Sequence, residues 1–87
     1  MFSIMKNSIM SGYLIIIEPY MIVKNFFATQ EGKIFLYVLK GDIIVNIDAQ
    51  KVPLRLGDSL YVEAGMLSLL KNGGGDSAEI LLIRTES

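Results

Sequence analysis

The sequence contains neither cysteine nor histidine. Without cysteine there is no disulfide, no iron–sulfur cluster and no thiol nucleophile, and the composition fits the cytoplasm. Without histidine there is no imidazole ligand for a metal and no side chain that titrates near neutral pH when unperturbed. Clustered basic charge is missing too. Lys6, Lys24, Lys33, Lys40, Lys51, Arg55, Lys71 and Arg84 are scattered, no two of them adjacent. Attraction to phosphates needs a concentrated positive face, so direct contact with nucleic acid is not expected. The apolar run Leu14-Ile15-Ile16-Ile17 is preceded by Asn7, Ser8, Ser11 and Gly12 and closed by Glu18-Pro19. A membrane helix needs about 20 apolar residues, and a signal peptide needs a longer apolar core and a small-residue cleavage site. The run reads as a buried strand. A cytoplasmic protein without membrane contact is expected, with residues 1–10 as a flexible lead-in and 11–87 as one domain.

What is present is apolar. Of the 87 residues 52% are hydrophobic, and the formal net charge is −1. A chain of this length buries only about 60–65% of the surface its unfolded form exposes. It therefore holds more apolar residue than its core can hide. The surplus belongs on the outside, where apolar patches mark partner surfaces. A homodimer is the expected partner state.

Turn signals recur at short, even spacing: Glu18-Pro19, Glu31-Gly32, Lys40-Gly41-Asp42, Asp48-Ala49-Gln50, Leu56-Gly57-Asp58, Ala64-Gly65 and the glycine run 73–75. Between them lie short runs rich in β-branched and aromatic residues, over 13–18, 21–28, 34–39, 43–47, 52–56, 59–62, 66–71 and 79–83. This spacing predicts an all-β sandwich or barrel. Ile43, Val45 and Ile47 alternate with Ile44, Asn46 and Asp48, as in a half-buried strand. Residues 34–39 are apolar on both faces, which calls for cover on each side, from the barrel interior and from a second sheet or subunit. The glycine run lacks the lysine–serine pair and helix start of a phosphate loop and reads as a hairpin or inter-strand loop. Gly57 and Gly65 read as strand ends that need positive φ or close backbone approach.

Two glycine-anchored motifs carry more. From Gly57 the chain reads glycine, five residues, Glu63-Ala64-Gly65, two residues, Ser68, three residues, Asn72. Upstream, Ala28, Gln30 and Ile34 precede Gly41 at fixed spacing, within the stretch 35–42. This pattern resembles the two motifs of the cupin superfamily, and also the C-terminal cupin domains of helix-turn-helix regulators. The resemblance implies a cupin-type double-stranded β-helix, a jelly-roll barrel. Gly57, Gly65 and Asn72 match the second motif, whereas Glu63 and Ser68 stand where proline and histidine are usual. Cupins hold a divalent metal through three histidines and a glutamate; the corresponding positions here are Ala28, Gln30, Ser68 and Ile34. Alanine and isoleucine cannot ligate, and glutamine and serine are weak neutral ligands. No metal and no cofactor are expected.

Nor does any residue argue for catalysis. Glu31, Glu63, Asp42, Asp48, Asp58 and Asp76 fall in expected turns, where solvated carboxylates are ordinary. Tyr13, Tyr20, Tyr37 and Tyr61 lie in or beside strands as packing aromatics, and Ser59 and Ser68 lack a general base. Asn72 reads as a cap bonded to backbone. The leading expectation is a non-catalytic domain that senses a small molecule or supports dimerisation. Its barrel interior lies near Ala28, Gln30, Ile34, Leu36, Ser68 and Leu70. That interior either admits a small apolar ligand, anchored by Gln30 and Ser68, or is filled by Ile34, Leu36, Leu70 and Met66. A small cupin enzyme acting on a metabolite and a purely structural protein are the alternatives.

Overall fold

The computed structural model describes residues 9–24 and 32–86, with side chains described over 12–24 and 32–85. Eight strands follow in order: β1 (Ile9–Ile17), β2 (Ile22–Lys24), β3 (Lys33–Lys40), β4 (Asp42–Ile47), β5 (Gln50–Arg55), β6 (Ser59–Glu63), β7 (Leu67–Asn72) and β8 (Ala78–Glu86). One 3₁₀ turn, Ala64–Met66, joins β6 to β7. Residues 1–8 of the expected lead-in lie outside the described residues, while Ile9 and Met10 belong to β1.

The strands form two antiparallel four-stranded sheets, ordered β1-β8-β3-β6 and β2-β7-β4-β5. First pairs with last, second with seventh, third with sixth and fourth with fifth, alternating between the sheets. This nesting is the jelly roll. The fold is thus all-β, in the class the turn spacing called for.

Side-chain alternation sorts the core. In β3, Ile34, Leu36 and Val38 are buried, as are Leu82 and Ile80 of β8, opposite Leu36 and Val38, and Ala78 opposite Ile17 of β1. From the other sheet Ile43, Val45, Leu54 and Leu70 meet them, and Ile17 closes the β1 end. The expected alternation of β4 holds, with Ile43 and Val45 buried and Ile44 only partly so. Two of the turn glycines do what glycine alone does easily. Gly41 sits at φ +83 between β3 and β4, where a Cβ would stand 3.1 Å from the Cα of Ala78. Gly57 sits at φ +90 in open space, in a turn where the Arg55 N–H donates to Asp58 Oδ2 at 2.8 Å.

Four sequence expectations need correction. The run Leu14-Ile15-Ile16-Ile17, read as a buried strand, lies in β1 with Leu14 and Ile16 exposed and Ile17 buried, because the strand alternates between the core and the outer face. Gly65 lies inside the 3₁₀ turn and is not among the positive-φ residues, because the chain turns there by helical winding. Glu63 ends strand β6 rather than occupying a turn, though it stays solvated, with Lys33 3.7 Å away. Tyr20 and Tyr61 are not packed: both are largely exposed. Tyr20 takes φ 63 in a turn closed by the Met21 N–H donating to the Glu18 carbonyl at 3.1 Å, which swings its ring outward.

Candidate functional site

The inner face of the barrel is where the two motifs converge. Ile34 lies on β3 between Val62 of β6 and Arg84 of β8, and its side chain is 0% exposed. Leu36 lies one inward step along, between Leu60 and Leu82, and is equally buried. Leu70 faces them from β7, between Val23 and Val45. These three are core residues, so at their level the interior is filled by side chains. Met66 is only half-buried. Ala28 and Gln30 lie outside the described residues.

Ser68 sits differently from what even spacing implies. The β4–β7 register slips between Asn46 and Ile47, whose partners are Leu69 and Leu67. Ser68 is the extra residue of that β-bulge, which interrupts the alternation that would set it in phase with Leu70. Its hydroxyl donates, at a long 3.5 Å, to the Asn46 carbonyl.

Asn72, the last residue of the second motif, is wholly buried and bonded throughout. Its Nδ2 donates to the carbonyls of Ile17 and Asp76, each at 2.8 Å, and its Oδ1 accepts from the Gly74 N–H at 2.9 Å. It ties the end of β1, in one sheet, to β7 and the glycine loop of the other. That is the backbone-capping role expected of it.

One inward residue was missed. Arg84 continues the alternation Ala78, Ile80, Leu82 onto the inner face beside Ile34, and its Nε is closed off from solvent. Extending the period-two pattern of β8 past Ile83 would have found it. Among the described residues it is the one ionised side chain on the inner face; Asn72 and the phenol of Tyr13, in register with Leu82, are the other polar groups there. A groove of about 270 Å³ lies elsewhere, along Ile44, Pro53, Arg55 and the glycine loop, and none of the expected interior residues lines it.

The donor set does not suit a metal. The position of the usual glutamate is a buried isoleucine, Ser68 meets a backbone carbonyl, and the chain has no imidazole. Among the described residues no three acidic side chains gather where they could hold an ion. Nor, among them, is any helix long and apolar enough to cross a membrane.

The sequence family described as Cupin domain matches residues 24–84. No curated protein matches the chain. Among solved structures, the Cupin_2 domain of an XRE family transcriptional regulator from Enterobacter cloacae aligns with a TM-score of 0.77 and 12% identity, covering 94% of this chain and 98% of that one. A Cupin 2 conserved barrel domain protein from Salinispora arenicola aligns at 0.76 and 13%, covering 90% of this chain and 63% of that one. A sugar phosphate isomerase from a cupin superfamily, of Silicibacter pomeroyi, aligns at 0.69 and 19%, covering 90% and 51%. At these identities the likeness is one of fold.

Proposed function

The chain belongs to the cupin domain family, and from that premise we propose that it is a non-catalytic cupin working by binding, as a dimerisation or small-molecule-sensing module of the cytoplasm. The observation that carries this reading is Ile34. At the position of the metal-ligating glutamate stands an isoleucine buried without remainder in the core. Around it, the described inner face offers hydrocarbon, one amide engaged with backbone, and one guanidinium that cannot serve as a base. General acid–base work needs a titrating group near the reacting atoms; the phenol of Tyr13, in register with Leu82, could give a proton, but the described inner face carries no carboxylate or imidazole to take one. The likeness to a regulator's cupin domain, over nearly the whole of both chains, is in keeping with a module that transmits rather than transforms.

Such a module would bind a small, largely apolar molecule at the mouth of the barrel, beyond the filled layer of Ile34, Leu36 and Leu70. Ser68 is the one described residue among its expected polar anchors. A second reading draws on Arg84. An inward guanidinium is suited to an anionic metabolite, and the chain shares its fold with a sugar phosphate isomerase. In that reading the domain is a metal-free enzyme. A purely structural role is the third. Elemental analysis of untagged protein, dialysed without chelator, tests the first of these. Transition metal near zero per chain is expected, whereas about one ion per chain, the stoichiometry of a single cupin site, would overturn the non-catalytic reading.

A further inference from the structure

We infer that Asn72-Gly73 is a covalent modification site, silent while the chain is folded and reactive once the seam between the sheets opens. There the Asn72 amide is lost as ammonia, and the product no longer ties the sheets together. The step concerns the lifetime of the fold and stands apart from what the domain binds.

The chain has four asparagines, Asn7, Asn25, Asn46 and Asn72, and only the last is followed by glycine. An asparagine amide is open to attack by the backbone nitrogen one residue on, and the side chain of that residue hinders the approach. Gly73 has no side chain, and its backbone has the widest freedom to make the approach. The Gly73 nitrogen passes its proton to hydroxide or water and bonds to Asn72 Cγ. The Cγ–Nδ2 bond breaks, Nδ2 takes a proton from water and leaves as ammonia, and a succinimide ring is closed. Water then opens the ring at one of its two carbonyls. Opening at Cγ gives aspartate in the original backbone. Opening at the Asn72 backbone carbonyl gives isoaspartate, with the chain rerouted through Cβ and Cγ. One water is consumed and one ammonia released, and nothing is oxidised or reduced.

The fold opposes each stage. Nδ2 donates to the carbonyls of Ile17 and Asp76 at 2.8 Å each, so the leaving group is held on both sides. The Gly74 N–H fixes the third corner of the amide, 2.9 Å from Oδ1. Asn72 ends β7 with its own N–H donating to the Met21 carbonyl at 3.0 Å. Ring closure needs its ψ swung out of the extended range that a strand imposes. The residue is also 0% exposed, which keeps base and water from Cγ. All of these restraints lapse together when the sheets part, and the pair then lies in a free run of three glycines, 73–75.

Neither product rebuilds the seam. Aspartate sets a carboxylate oxygen against the Ile17 and Asp76 carbonyls, where two N–H donors stood. Isoaspartate adds a methylene to the backbone at the end of β7 and displaces the Gly74 contact as well. A chain left open long enough is thereby marked, and its unfolding becomes irreversible.

Intact mass and peptide mapping of the full chain test this at one mildly alkaline pH, folded in buffer and unfolded in guanidinium chloride. The unfolded chain should lose the Asn72 amide before that of any other asparagine. An unfolded population of ~10⁻³ slows a reaction that waits for opening by ~1,000-fold, so the folded chain is expected to react at least ~100-fold more slowly. Chain held unfolded until the amide is gone, then returned to buffer, should melt at least ~10 °C below chain carried quickly through the same cycle, or not refold. Gly73→Ala isolates the chemistry. A Cβ there meets only Ile44 Cδ1, at an ordinary 3.7 Å, and Gly73 is not among the positive-φ residues, so the variant should fold. Unfolded, it should react at least ~2-fold more slowly, since alanine gives up part of the freedom of glycine. Earlier loss at Asn7, Asn25 or Asn46, or a Gly73→Ala variant that reacts at the wild-type rate, overturns the site. A folded rate within ~100-fold of the unfolded one overturns the protection. Amide-free chain that melts within ~10 °C of the control overturns the irreversibility.

Discussion

Replacing Asn72 with alanine removes three side-chain hydrogen bonds at once and strands their partners. The Ile17 carbonyl, at the seam between the sheets, then loses its Asn72 donor in a buried place; the Asp76 carbonyl and the Gly74 N–H lie nearer the surface, where water can substitute. A neutral hydrogen bond contributes about 1 kcal/mol net, and a stranded buried group costs about 1–3 kcal/mol. Counting the buried bond fully and the two outer ones in part gives a loss of roughly 2–4 kcal/mol. For a domain of this size each kcal/mol lowers Tm by about 4–8 °C, so the variant should melt roughly 10–25 °C below wild type. Asn72→Asp sharpens the test. It keeps the acceptor for Gly74 but sets a carboxylate oxygen against two carbonyls, so at neutral pH it should be at least as damaging as alanine. Burial and those carbonyls hold the new carboxyl above its unfolded pKa. The ionic part of the penalty is therefore absent below the unfolded pKa, grows as pH rises, and is complete above the folded pKa, while the loss of one of the two donors remains at every pH. Melts by circular dichroism at one fixed protein concentration and two pH values read both effects. An alanine variant within about 5 °C of wild type would refute the claim that these bonds hold the sheets together.

The remaining expectations concern the turns and the motif register. Gly41→Ala should destabilise clearly more than Gly57→Ala: both suffer positive φ, about 1 kcal/mol, but only at Gly41 does the methyl press on the backbone of Ala78. Equal denaturation midpoints for the two variants would remove the close approach from the account. The quadruple variant Ala28→His/Gln30→His/Ile34→Glu/Ser68→His should take up about one divalent ion per chain by calorimetry, since it rebuilds the donor set of the family at the aligned positions. A variant that folds yet binds none would show that the alignment, and the interior drawn from it, is misplaced.

Much of the fold was legible because period-two alternation and turn chemistry are local. Ile43, Val45 and Ile47 announce their face within five residues, and Gly41-Asp42 and Gly57-Asp58 mark turns by residue type alone. The partner of each strand was not legible, since the nine-residue pairing of β1 with β8 joins opposite ends of the described chain and leaves no nearby trace. Ser68 shows a second limit. A bulge inserts one residue without a signature, so counting from Leu70 assigns it a phase that the bulge interrupts. Gly65 shows a third, because glycine permits positive φ without requiring it, and a 3₁₀ turn does the work there instead. Arg84 was there to be read, and a pattern stopped one residue early hid it. At the candidate site the missing donor set was legible outright, since the absence of histidine is a matter of composition alone.

The place of β8 in its sheet has a bearing on how the molecule is made. Of the eight strands β1 is translated first, and its one partner, β8, is translated last. The β2-β7-β4-β5 sheet draws only on strands already synthesised by Asn72, so it can assemble while β8 is still being threaded out of the ribosome. Strand β1, with its run of leucine and isoleucines, must wait unpaired through that whole interval. Transiently open apolar strands are where chains aggregate and where chaperones bind. The costliest moment for this protein should therefore come during synthesis, between the completion of one sheet and the arrival of the strand that closes the other.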